Sequence, residues 1–400
     1  MKRFFLSAAM MFALLYGNAQ TKQPDSTGFQ PRQLKLEEVN LISSYYHQDG
    51  NNASVTGGIG SEKLSDIANM IDIKLTMYDR KYRKHNFDVE LGIDHYTSAS
   101  SDMIDLKANS SASHADTRYY PSVNWSMEND KKGTTFGAGL SFSKEFDYAS
   151  VGANILFSKK TNNKNGEFTA KLQALFDQVS LVIPVELRTN SGGGGREHDD
   201  YPTSSRNTYA GSLGYSQVIN RNLQVMLLAD VVQQTGYLSL PFHRVYFNDG
   251  KVHQENMPDK RFKLPLGLRG SYFLGDHIIV KAYYRYYYDD WGITAHTAEL
   301  ELPIKFTPFI SFSPFYRYYS QSATKYFAAY QEHTAADRYY TSNYDLSKFN
   351  SHFVGGNMRI APATGVFGMK HFSMIELRYG HYMRSTNLNS DIISMNLRFK

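Results

Sequence analysis

The sequence predicts an all-β protein: a transmembrane antiparallel β-barrel of about sixteen strands, with short periplasmic turns and long extracellular loops. Three observations carry this expectation. Apolar and polar residues alternate with a period of two along most of the chain. The alternating segments run to about ten to thirteen residues, whereas strands of soluble proteins usually stop at five or six. The connections alternate strictly between short and long, as they do in membrane barrels.

The N-terminus carries a different signal. Lys2 and Arg3 precede an apolar run from Phe4 to Tyr16, and Gly17, Asn18 and Ala19 supply small residues where a signal peptidase cuts. The run is too short to span a bilayer. Residues 1–19 are therefore expected to be a signal peptide, and 20–37 an extended periplasmic lead, with Pro24 and Pro31 in it. The barrel is expected over 38–400.

Within that span the alternation is explicit. Ile71, Ile73, Leu75 and Met77 interleave with Asp72, Lys74 and Thr76, and Phe87, Val89, Leu91 and Ile93 with Asp88, Glu90 and Gly92. Successive side chains of a strand point to opposite faces, so each segment has one apolar and one polar face. Strands are expected near 38–47, 68–80, 85–97, 118–128, 133–144, 146–158, 166–176, 206–217, 221–234, 261–273, 277–289, 292–303, 308–320, 349–360, 370–384 and 389–399. Fourteen and eighteen are the neighbouring even counts. Long stretches at 47–67, 98–117, 177–206, 235–260 and 321–348 then all fall at one end. The last segment sets Ile393, Met395, Leu397 and Phe399 on one face. That is the amphipathic, aromatic-ended strand that barrel-insertion machinery reads, here with Lys400 after the aromatic.

Composition agrees. The 400 residues include 30 Tyr and 25 Phe but 2 Trp, and the aromatics gather at segment ends, as in interfacial girdles. The net charge of +5 is interleaved with acids, which gives no concentrated basic face and excludes nucleic acid as a partner. The absence of Cys removes disulfides, thiol catalysis and thiolate metal sites. No mature segment offers some twenty apolar residues, so a helical membrane protein is excluded.

Two stretches carry a resemblance. One is His47-Gln48-Asp49-Gly50-Asn51-Asn52-Ala53-Ser54-Val55-Thr56-Gly57-Gly58-Ile59-Gly60. The other is Tyr284 to Thr297, with Asp289-Asp290-Trp291-Gly292 and Ala295-His296-Thr297. Both resemble the Gram-negative outer-membrane barrels catalogued as domain of unknown function 3570, a likeness running from about residue 34 to 400. The resemblance implies an outer-membrane barrel with no assigned catalytic residues. Gene neighbourhoods rich in flavin-transfer and thioredoxin-like proteins add a hint of envelope redox or metal handling.

The expected inner faces carry Asp72, Lys74, Asp88, Glu90, Asp94, Lys171, Arg269, Lys281, Arg285, Glu299, Glu301, Arg317, Glu376 and Arg378, together with Asp230, Lys263 and Arg359. As a channel lining they would select counter-ions. As a salt-bridge lattice they would hold the barrel shut. The sequence leaves both open. Residues 50–60 lack the Lys-Ser/Thr of a phosphate loop and read as a loop of unusual backbone angles folded into the lumen. Gly192 to Gly195 read as a loop tip. Glu197, His198, Asp199 and Asp200 are adjacent loop residues that seldom converge on one ion, and the acid-dotted loop 98–116 has the same status, so no metal is expected. His47, His95, His296, His352 and His381 fall near strand ends. Ser313 and Glu376 face inward with no inward His nearby, and a G-x-S-x-G elbow is absent. The expectation is a non-enzyme without cofactor. It is a porin-like channel or gated pore for small solutes or a docking barrel, with outer-membrane lipid around it. The competing class is a non-conducting scaffold that holds a periplasmic or surface protein.

Overall fold

A computed structural model describes residues 33–98, 115–187 and 201–400. The expected signal peptide and most of the expected lead lie outside the described residues. Sixteen strands follow one another around a single antiparallel sheet. They are β1 (Lys35–Asp49), β2 (Leu64–Tyr78), β3 (Lys84–Ser98), β4 (Ala115–Asn129), β5 (Thr134–Lys144), β6 (Tyr148–Lys160), β7 (Gly166–Ser180) and β8 (Thr203–Val218). The second half comprises β9 (Leu223–Gly236), β10 (Lys260–Leu274), β11 (Ile278–Asp289), β12 (Thr294–Glu301), β13 (Ile310–Gln321), β14 (Phe349–Ile360), β15 (Phe372–Arg384) and β16 (Leu388–Phe399). After a break at Leu302 and Pro303, which has no N–H to give the ladder, β12 resumes over Ile304–Lys305. The sheet closes where β16 pairs with β1, from Val39 opposite Phe399 to Asp49 opposite Asn389. Closure leaves no strand edge, the condition for a sheet to cross hydrocarbon.

All sixteen expected strands are present, and β1 starts at Lys35 rather than 38. The expectation of strictly alternating connections does not hold. Three connections at the loop end, 145–147, 290–293 and 385–387, are as short as the turns opposite. Two of them are seats for neighbouring loops. Trp291 O accepts from Lys325 N at 3.0 Å and from Thr324 Oγ1 at 2.8 Å. Thr386 O accepts from Asn52 Nδ2. A long connection there would occupy the space these loops need.

The wall turns apolar side chains outward. Leu140 is 67% exposed and Leu172 59%, and Val123, Val151, Ile155, Leu213, Leu227 and Ile393 are similarly open. A continuous band of this kind on a water-facing surface would drive aggregation, so its solvent is hydrocarbon. Leu91 sits mid-strand in this band and Glu90 beside it faces in, opposite Asp72. Leu91→Arg is therefore expected to destabilise the folded barrel by roughly 2–4 kcal/mol, and Glu90→Gln to cost little. Urea unfolding in lipid vesicles checks this, and a reversed order would invert the assignment of faces.

Val39, Val366, Phe372 and Met374 are buried at the turn end, and a larger packed cluster lies at the loop end. Val55, Val245, Phe247, Met257, Trp291, Ile293 and Ala295 are buried there, with Thr341 and Ser342 among them.

Candidate functional site

The site has two parts, a cap across one mouth and a charged lumen below it. The β1–β2 and β9–β10 connections leave the ring eight strands apart, on opposite sides of a sixteen-strand barrel. They nevertheless meet. Arg244, at the start of a small hairpin formed by Arg244–Tyr246 and Val252–Gln254, donates from Nη1 to Val55 O at 2.8 Å. It also pairs with Glu186 from the β7–β8 connection. Gly57 and Gly58 have φ of 79° and 86°, a region other residues rarely adopt. A Cβ on Gly57 would lie 2.6 Å from the Tyr246 ring, and one on Gly58 2.7 Å from Ser342 O in the β13–β14 loop. The loop flagged for unusual backbone angles thus crosses the mouth and touches the hairpin and the β13–β14 loop, besides Thr386.

A second buried cluster ties the hairpin to the β13–β14 loop. Glu255 accepts from Leu240 N at 2.7 Å and from Thr341 Oγ1 at 2.6 Å, with His243 Nδ1 3.7 Å away. These partners stabilise the carboxylate and hold Glu255 below its ordinary range although burial opposes them. Where the cap meets the wall, Glu62 faces Arg384 of β15 at 3.9 Å, and Arg384 also binds Asp345 at 2.6 Å. Burial dominates at Glu62 and pushes its carboxyl up to about 7.

Asp289 anchors the rim. It is 0% exposed and accepts from Arg261 Nη2 at 2.5 Å and Nε at 3.0 Å, from Tyr287 Oη at 2.9 Å and from Ile293 N at 2.9 Å. Arg261 also lies 4.3 Å over Trp291, whose Nε1 donates to Lys260 O at 2.8 Å.

The strand register places Asp72, Lys74, Asp88, Glu90, Asp94, Lys171, Asp230, Lys263, Arg269, Lys281, Arg285, Glu299, Glu301, Arg317, Arg359, Glu376 and Arg378 on the inner face. They segregate. On β1 to β4, Asp72 stands opposite Glu90 and Lys74 opposite Asp88, with Glu38 3.4 Å from Lys74. The like-charge pair Asp72–Glu90 opposes folding, but Lys74 also lies 3.5 Å from Asp72 and Arg398 3.3 Å from Glu38, so this wall is largely ion-paired. Asp94 is paired as well, bound by Arg118 at 2.5 Å and Tyr120 at 2.6 Å.

On β10 to β15 the balance is basic. Lys281 reaches Glu301 at 3.1 Å and Arg317 reaches Glu299 at 2.6 Å. Glu376 accepts from Asn357 at 2.9 Å. Arg269, Arg285 and Arg378 have no carboxylate partner among the described residues and lie instead over Tyr283, Tyr287 and Phe315. A cavity of about 630 Å³ opens beside Arg285, bounded also by Arg317, Arg384, Tyr46, Tyr319 and Asp345. Arg317 and Arg384 are paired there with Glu299 and Asp345, whereas Arg285, set among phenolic hydroxyls, can take an anion by charge-assisted hydrogen bonds.

The five flagged histidines all face outward. Each receives a hydrogen bond at Nδ1 or shares one there. The partners are Ser65 for His47, Thr117 for His95, Tyr284 for His296, Tyr316 for His352 and Asp391 for His381. Gly192 to Gly195, Glu197, His198, Asp199 and Asp200 lie outside the described residues, as does most of the loop 98–116. Arg244, Glu255, Arg384 and Glu62 were not singled out in the sequence. Their partners come from loops distant in the chain, and no spacing announces that.

The family model described as "Protein of unknown function (DUF3570)" matches residues 94–386. The chain belongs to that family. The matched span holds the Asp289-Asp290-Trp291-Gly292 rim and the basic wall, while the cross-mouth loop precedes it. No curated protein matches the chain. Among solved structures, a bacterial polysaccharide outer membrane secretin is similar at 10% identity and TM-score 0.44, over 90% of this chain and 98% of that one. The TodX monoaromatic hydrocarbon channel deltaS2 mutant is similar at 11% identity and TM-score 0.39, over 92% and 90%. OccK1 (OpdK) of Pseudomonas aeruginosa is similar at 7% identity and TM-score 0.40, over 90% and 97%.

Proposed function

We propose that this protein is an outer-membrane channel for small anionic solutes, with the cross-mouth cap as its gate. The observation that carries the reading is Arg285, which borders the cavity under the cap over a tyrosine ring and makes no ion pair among the described residues. In a sealed scaffold, lumen charges gain most by pairing with each other. An unpaired guanidinium against a cavity leaves its hydrogen bonds for a passing anion. The apolar outer band and the closed ladder support a place in the outer membrane. A barrel of sixteen strands is wide enough for a water-filled path when loops do not fill it. The acid wall on β1 to β4 faces the basic wall across the lumen, so a solute carrying both charges would be oriented as it passes.

The test is conductance in planar bilayers. The wild-type protein is expected to show infrequent small openings with anion preference. Arg285→Ser should move the reversal potential towards cations by a factor of a few in permeability ratio. An unchanged ratio would remove Arg285 from the path. A barrel that stays silent both capped and with its hairpin excised, yet retains an envelope protein, would replace the channel with the docking scaffold.

A further inference from the structure

We infer that the outer surface of β10 to β14 is a binding site for one phosphorylated, multi-acyl glycolipid of the outer leaflet. The inference rests on the reading of the barrel as an outer-membrane protein, but not on its conducting anything.

Two independent features coincide there. The first is a groove in the otherwise ridged apolar band, a cavity of about 450 Å³ on the lipid side. Its floor is small residues, Gly270 opposite Ala282 on the adjacent strand and Ala298 one step diagonally closer to the loop end. Leu268, Tyr284, Leu300 and Tyr316 rise on either side. A strip of missing side chains between large ones suits a saturated chain, which gains dispersion contacts a loose bilayer chain lacks.

The second feature stands at the loop end of that groove. His296, two residues beyond Ala298 on the same face, shares a hydrogen bond at Nδ1 with Tyr284 Oη at 2.7 Å and lies 5.3 Å from the Tyr286 ring. The same cluster is built again on the next hairpin. His352 shares a hydrogen bond at Nδ1 with Tyr316 Oη at 2.7 Å and lies 5.4 Å from the Tyr318 ring. The ring tilts repeat as well, 37° and 53° in the first cluster and 31° and 53° in the second.

In the tautomer that carries its hydrogen on Nε2, each imidazole accepts from its phenol at Nδ1 and turns an N–H outward, and both imidazoles are exposed. Two oriented N–H donors therefore stand at the membrane interface above an apolar groove. Aromatic belts alone would need no such orientation. N–H donors match the exposed, doubly charged oxygens of a phosphate monoester, which a choline-bearing phosphodiester or a dephosphorylated sugar does not present. The duplication fits a headgroup broad enough to meet both rings while one of its chains lies in the groove.

The experiment is native mass spectrometry of the full chain in maltoside micelles. It is titrated with a phosphorylated multi-acyl glycolipid, its enzymatically dephosphorylated form, and phosphatidylcholine. The wild type is expected to hold one phosphorylated glycolipid, about tenfold more tightly than either control. His296→Phe with His352→Phe keeps two rings but removes the donors and should abolish that preference. Gly270→Leu fills the groove where an added Cβ meets nothing within 4 Å, and should weaken all glycolipid binding while leaving the phosphate preference. Equal binding of the dephosphorylated form by the wild type would overturn the proposal. So would a groove occupied by a second copy of the chain, seen as a dimer lost in Gly270→Leu. Bilayer conductance of the same variants should match wild type, so a failed lipid site and a failed channel give different records.

Discussion

Asp289→Ala is expected to destabilise the loop end of the barrel by about 3–5 kcal/mol, the range for removing one partner of a buried ion pair. The side chain is fully buried and both its oxygens are used, one by the guanidinium and phenol, the other by the Ile293 backbone N–H. Removing it leaves Arg261 14% exposed without its carboxylate. It also frees the Asp290 turn that holds Trp291 against Lys260 O and, through Trp291 O, the start of the β13–β14 loop. The loss should therefore spread beyond one hydrogen bond. Asp289→Asn keeps an oxygen for Ile293 N and should cost less. Urea unfolding of the two variants in vesicles gives the order, and protease accessibility of 322–348 reports the loop. A wild-type midpoint for Asp289→Ala would show that the rim bears no load.

How much of this was legible in the sequence divides along a physical line. The wall was legible because a strand's side-chain period is fixed at two, and every inner residue from Asp72 to Arg378 inherits its face from neighbours in the chain. The expected strand ended at 303, so Pro303 was read as the start of a turn and not as a break after which β12 resumes over Ile304–Lys305. The cap was legible only as punctuation. Gly57 and Gly58 signalled unusual backbone, yet what demands it is Tyr246 and Ser342, far away in sequence. Asp289 stood out through a family likeness, and its role depends on Arg261 from the preceding strand. The short connection at 290–293 escaped the length rule because its purpose is to let another loop lean over it. Face follows from local period, whereas closure of the mouth follows from contacts between loops that no local pattern encodes.

The largest functional change should come from opening that mouth. The backbone enters and leaves the small hairpin at adjacent points, since Glu255 N donates to His243 O at 3.0 Å. Residues 244–254 can therefore be replaced by two glycines without pulling on β9 or β10. Excision removes Arg244, with its bonds to Val55 O and Glu186, and Tyr246, which packs against Gly57. The cross-mouth loop then has no partner on the far side. Conductance is expected to rise severalfold, because a sixteen-strand lumen without a filling loop is wide enough for water and ions. Glu62 supplies a second handle with a defined sign. Its folded carboxyl titrates near 7 against an ordinary 4.5, so the docked cap binds the proton more tightly than the released one. Docking is then strongest below about 4.5 and weakens as pH rises to about 7, by on the order of 2–3 kcal/mol in all. Wild-type open probability should climb across that window and level off above it, and Glu62→Gln should flatten the climb. The excised protein should conduct at every pH. If excision leaves the conductance unchanged, the loops crossing the mouth do not gate it.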